Sequence, residues 1–117
     1  MNDRLAPRRE LERARDGGGP GADQARIALT ANALPERLRA AILALTFTRG
    51  ADSSTCPSDA ARAVADNWRP LLPQARELAR DLARTGDVRL TQRGELLDPD
   101  AEWRGPIRIR MPWPADG

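Results

Sequence analysis

Apolar positions repeat along this chain at two periods, first helical and then strand-like. Leu38, Ala41, Ile42 and Leu45 fall at i, i+3, i+4 and i+7, the spacing of one buried helix face. Pro35 suits a first helical turn, Glu36 suits the positive end of the helix dipole, and Gly50 makes a stop. Residues 51–54 read as a turn and residues 54–56 as one short strand. A second helix is expected from Pro57, with Asp59 placed to accept from free backbone N–H groups. Ala61, Val64, Ala65 and Trp68 repeat the helical spacing, and Asp66-Asn67 breaks it. A third helix starts between Pro70 and Pro73 and ends at Gly86, with Leu71, Ala75, Leu78 and Leu82 on its inner face and Ala79 beside them. The period then shortens to two in Val88-Arg89-Leu90-Thr91 and again in Ile107-Arg108-Ile109-Arg110. Residues 92–106 form a polar loop between them. Helix, short strand, two helices, strand, long loop and strand is the order of a winged helix-turn-helix. The expected class is mainly α with a small antiparallel β-hairpin, over residues 34–112.

The pattern fades outside that span. Residues 1–33 read as a flexible N-terminal tail. Residues 7–16 form at most a short charged helix with little to pack, and Asp16-Gly17-Gly18-Gly19-Pro20-Gly21 reads as a flexible linker. Ile27 and Leu29 are expected to pack loosely on the domain. Residues 113–117 read as a frayed C-terminal tail. A length of 117 residues fits one domain with such tails.

Five segments in order resemble the bacterial domain-of-unknown-function 3253 family. They are Cys56-Pro57-Ser58-Asp59-Ala60-Ala61-Arg62, Trp68-Arg69-Pro70-Leu71-Leu72-Pro73, Thr91-Gln92-Arg93-Gly94, Asp98-Pro99, and Arg104-Gly105-Pro106-Ile107-Arg108-Ile109-Arg110. The resemblance runs over residues 38–111. It implies a winged-helix-like fold, and it implies no activity and no catalytic residue.

Composition narrows the chemistry. The chain has no His and no Tyr, and all its basic residues are Arg. Without His there is no Ser-His or Cys-His dyad, and one Cys leaves too few ligands for zinc. The Gly-rich segment lacks the Gly-Lys-Ser/Thr ending of a phosphate-binding loop. Asp98, Asp100 and Glu102 alternate as in a calcium loop, but the Gly and distal Glu of an EF-hand are missing, so a solvated acidic loop is expected. Cys56 reads as a small side chain at a strand-to-helix junction rather than a reactive thiolate. No enzyme, catalytic residue, metal or cofactor is expected. A lone Cys, no membrane-length apolar run and a charged start without a signal-type stretch make cytoplasmic the default expectation.

One constellation points to a partner. Arg76, Arg80 and Arg84 stand at i, i+4 and i+8 on the third helix, which enters the major groove in helix-turn-helix proteins. With Arg69 and Gln74 near its start and Arg108 on the hairpin, these are the candidate DNA-binding residues. Against this, Glu77 and Asp81 run beside the Arg stripe in i, i+3 pairs normal for a solvated helix. The wing carries Arg93 and Arg104 against Glu95, Asp98, Asp100 and Glu102, a net of 2 − 4 = −2, which a phosphate backbone repels. Arg, Ala, Gly and Pro share GC-rich codons, so Arg abundance alone carries no functional weight. Two readings stand: a small regulatory protein binding double-stranded DNA, and a protein-interaction module that binds no nucleic acid. Trp68 reads as a core anchor. Trp103, in the wing, reads either as exposed for a partner or as folded back on the sheet. Sequence gives no oligomeric state.

Overall fold

The first period seen in the sequence becomes the centre of the molecule. In this computed structural model, which describes residues 6–112, the helix α3 (Leu34–Arg49) is buried almost all round, from Ala40 through Thr46. The expected face of Leu38, Ala41, Ile42 and Leu45 is fully buried. A second stripe, Ala40, Leu43, Ala44 and Phe47, is covered as well. Gly50 ends the helix at a positive φ of 87°, which favours glycine, its N–H bonded to the Thr46 carbonyl.

The cover over the second stripe is a segment expected to be flexible. Residues 6–17 form a packed helix, α1 (Ala6–Gly17), and residues 22–30 form α2 (Ala22–Thr30). Both pack on α3, and α1 also packs on α4 (Pro57–Val64). Pro7, Leu11 and Ala14 make a narrow stripe on α1, and Leu11 is fully buried. Ala25 and Ala28 of α2 are buried, with Ile27 and Leu29 half-buried beside them. The expected linker is a tight turn: Ala22 N–H donates to the Gly19 carbonyl at 3.0 Å. Gly21 has φ +89°, and a Cβ there would stand 3.0 Å from Thr48 Oγ1 and 3.2 Å from the Ala44 carbonyl. A side chain here would be strained at that φ and would press on α3, so glycine suits the turn. The tail reading failed because few but well-placed apolar groups suffice when the opposing helix offers a second apolar stripe. The parts of the expected tails at residues 1–5 and 113–117 lie outside the described residues.

The helix α4 starts at Pro57 as expected but ends at Val64, so Trp68 lies beyond it, at the start of a single 3-10 turn over Arg69–Leu71. Trp68 packs half-buried against the core edge. The helix α5 (Leu72–Arg84) buries Ala75, Ala79 and Leu82, while Leu71 and Leu78 are only half-buried. Three strands follow, β1 (Arg89–Gln92), β2 (Glu95–Leu96) and β3 (Arg108–Arg110), in the antiparallel order β2-β1-β3. The pairing of β1 with β3 is the expected hairpin, with Leu90 opposite Ile109. The short β2 was not expected. It forms because Arg93 at φ 54° and Gly94 at φ 83° reverse the chain at once. The residue expected as a short strand, Thr55, bridges Ile109 on the outer side of β3. The whole is mainly helical with a small antiparallel sheet, compatible with a winged-helix-like arrangement.

Candidate functional site

The Arg stripe of α5 and the long loop after β2 meet. Because α5 buries Ala75, Ala79 and Leu82, helical spacing turns Arg76, Arg80 and Arg84 outward together. The loop, residues 97–106, crosses this face. It is tied down at one end by Leu97 N–H donating to the Leu90 carbonyl at 2.8 Å. Near the other end Gln92 Nε2 donates to the carbonyls of Arg104, at 2.6 Å, and Pro106, at 3.1 Å.

Each arginine of the stripe then finds a partner in the loop. Arg76 donates to the carbonyls of Gly105, at 3.1 Å, and Trp103, at 3.4 Å. Arg80 donates to the Ala101 carbonyl at 2.8 Å and to that of Pro99. Its guanidinium lies 4.1 Å from the Trp103 ring centre, and that of Arg76 lies 5.7 Å away, both cation–π distances. Trp103 is fixed by its indole N–H, which donates to the Asp98 carbonyl at 2.9 Å. It thus folds back, onto α5 rather than onto the sheet. Arg84 donates to Asp100 Oδ1 at 2.6 Å and to Asp81 Oδ1 at 3.3 Å. The Asp100 hydrogen bond holds Arg84 above its ordinary pKa. Asp98 Oδ1 accepts from the Asp100 N–H at 2.8 Å, closing a turn of the chain.

The other candidate residues stand apart. Arg69 and Arg62 stack on the Trp68 ring, at 4.8 and 4.5 Å from its centre. Gln74 is exposed on the first turn of α5. Arg108, on β3, donates to Ser54 Oγ at 2.8 Å and to the Ser54 carbonyl at 3.1 Å. The structure therefore gathers Arg76, Arg80 and Arg84 into one site and leaves Arg69, Gln74 and Arg108 outside it.

Between α5 and the loop the surface is concave. A cavity of about 520 Å³ lies among Leu72, Pro73, Arg76, Glu102, Trp103 and Arg104. A second, of about 190 Å³, adjoins it at Leu72 and Arg76 and is lined also by Cys56, Pro57, Ser58, Pro106 and Ile107. The Cys56 Sγ and Ser58 Oγ lie 3.0 Å apart. Sequence reasoning missed Leu72, Pro73 and Arg104 as parts of this site. The pairing of Arg76 and Arg80 with Trp103 joins positions far apart in the chain, and no local pattern signals it. Among the described residues no group of three His, Cys, Asp or Glu side chains is placed to hold a metal ion, and no described helix is long and apolar enough to cross a membrane.

Residues 35–112 match the family described as Protein of unknown function (DUF3253). The chain belongs to that family. The matched span runs from α3 to β3 and so contains the whole α5–loop site, while α1 and α2 precede it. The resemblance read from the Cys-Pro-Ser-Asp and Arg-Gly-Pro-Ile segments is thus borne out. Among curated proteins no sequence matches this chain.

The Arg80 contacts give a direct test of this geometry. Replacement Arg80→Ala removes two hydrogen bonds from Nη1 to loop carbonyls and one ring contact, all made by a side chain that is 16% exposed. A loss of about 1 to 2 kcal/mol is expected, with faster proteolytic cutting within residues 97–106. Unchanged stability together with unchanged cutting would mean that the loop does not rest on α5.

Proposed function

We propose that this protein is a protein-interaction module that binds no nucleic acid through α5. The observation that carries this reading is the loop across the Arg stripe. A recognition helix must lay its outward face in the major groove, and the loop of residues 97–106 lies across that face of α5. Here Arg76 and Arg80 point their donors into loop carbonyls and Arg84 is held by two carboxylates. Glu102 and Asp100 lie over the same face, so it lacks the run of unopposed positive charge that successive phosphates need. What remains exposed is a groove with apolar walls and mixed charge, the composition of a protein contact rather than of a basic nucleic-acid track.

A salt-dependent titration of the full chain against random duplex DNA tests this. No salt-sensitive binding is expected even at about 50 mM salt. Binding that weakens steeply with added salt, and whose slope falls by about 0.9 on Arg76→Ala, would restore the DNA-binding reading and remove this one.

A further inference from the structure

The two cavities adjoin at Leu72 and at the Arg76 side chain, which reaches from α5 to the Trp103 and Gly105 carbonyls; the first is charged and the second apolar. At the charged end Arg76, Arg80 and Arg104 face Glu77 and Glu102, an excess of one positive charge (3 − 2 = +1). Arg104 is exposed. Arg76 spends one hydrogen bond on each of two carbonyls, and a guanidinium has five N–H donors in all. At the other end Pro57, Pro106 and Ile107 surround a space of about 190 Å³, room for one medium apolar side chain.

We infer that this groove takes an extended acidic peptide, with a carboxylate between Arg76 and Arg104 and a neighbouring apolar side chain in the smaller cavity. This deepens, and rests on, the interaction-module reading. Charge complementarity selects the occupant. A peptide can place one carboxylate by the arginines and keep its other residues neutral where Glu77 and Glu102 lie. A nucleic-acid backbone cannot, because its charges come at every phosphate. A fully apolar segment would cover the excess positive charge of the charged end with nothing to offset it, which is costly. Arg76 borders both cavities, so the carboxylate and the apolar anchor belong to adjacent or near-adjacent residues.

The probe is a random heptapeptide display library selected on the full chain, followed by titration of the enriched peptides as synthetic samples. Enriched sequences are expected to carry Asp or Glu beside Leu, Ile, Val or Met. Arg104→Glu, an exposed change that leaves the loop's own side-chain contacts in place, should weaken their binding about five-fold, and Glu102→Gln should tighten it about two-fold. Arg13→Glu, which makes the same change in net charge on the exposed face of α1, should leave affinity unchanged. Enriched peptides that are basic or uncharged, or whose binding ignores Arg104→Glu, would overturn the acidic-peptide inference while leaving a protein-interaction module standing. Failure to enrich any peptide also overturns it. If the chain then binds duplex DNA in a salt-sensitive way, the interaction-module reading falls too.

Discussion

Deleting residues 1–21 should destabilise the protein by more than about 3 kcal/mol. The basis is the packing of α1. Leu11 is fully buried, and burying or losing one such leucine is worth about 2 to 5 kcal/mol. The deletion also uncovers parts of α2, α3 and α4 that α1 now covers. It removes the ion pair of Glu10 with Arg49 as well. Chemical denaturation of the full and shortened chains measures the difference. A loss of under about 1 kcal/mol would return this segment to the status of a tail.

The second large effect is expected at Arg49. This residue closes α3 and joins three helices. Its Nε and Nη2 donate to the two carboxylate oxygens of Glu10, each at 2.8 Å. Its Nη1 donates to Asp59 Oδ2 at 3.0 Å and to the Ser54 carbonyl at 3.0 Å. The Glu10 hydrogen bond, opposed in part by desolvation, raises the Arg49 pKa above its ordinary value, so the residue stays charged at every ordinary pH. The three side chains are 19 to 22% exposed, sheltered enough for geometry to count but not dry. Arg49→Leu would leave Glu10 and Asp59 facing one another without their shared cation. A loss of about 2 to 3 kcal/mol is expected, discounted from the cost of breaking a fully buried pair. Adding Glu10→Gln should restore about 1 kcal/mol by removing one stranded charge. If the double variant is no more stable than Arg49→Leu alone, the loss is one of packing and the network carries no electrostatic weight.

Much of the family span was legible because each element there declares itself locally. Leu38, Ala41, Ile42 and Leu45 gave α3, and Gly50 its end. Ile107-Arg108-Ile109-Arg110 gave β3, and even the single bridge at Thr55 was foreshadowed. The errors share one cause. Period counting finds one face at a time, and α3 has two. Ala40, Leu43, Ala44 and Phe47 repeat the same i, i+3, i+4, i+7 spacing on its other side, a sign that a further layer must cover it. Taken with Pro7, Leu11 and Ala14, that stripe was enough to predict α1 as packed. The site was less legible. The stripe of Arg76, Arg80 and Arg84 was visible, but its partners are mostly backbone carbonyls of residues 99–105, and carbonyls carry no sequence signature. The Arg76–Trp103 and Arg80–Trp103 contacts depend on how the loop folds, which only the tertiary structure fixes.

The way the sheet ends bears on how another chain can approach it. An exposed strand edge is a row of open donors and acceptors that invites pairing. Here one edge is β2, only two residues long and opened by a turn through Arg93 and Gly94. At the other edge Ile109 exchanges both of its backbone bonds with Thr55, at 2.9 and 2.7 Å. Neither side offers a ledge long enough to seat an added strand. A bound chain must therefore be held by side chains in a groove, and self-templated stacking of this protein into fibrils has no ready starting edge among the described residues.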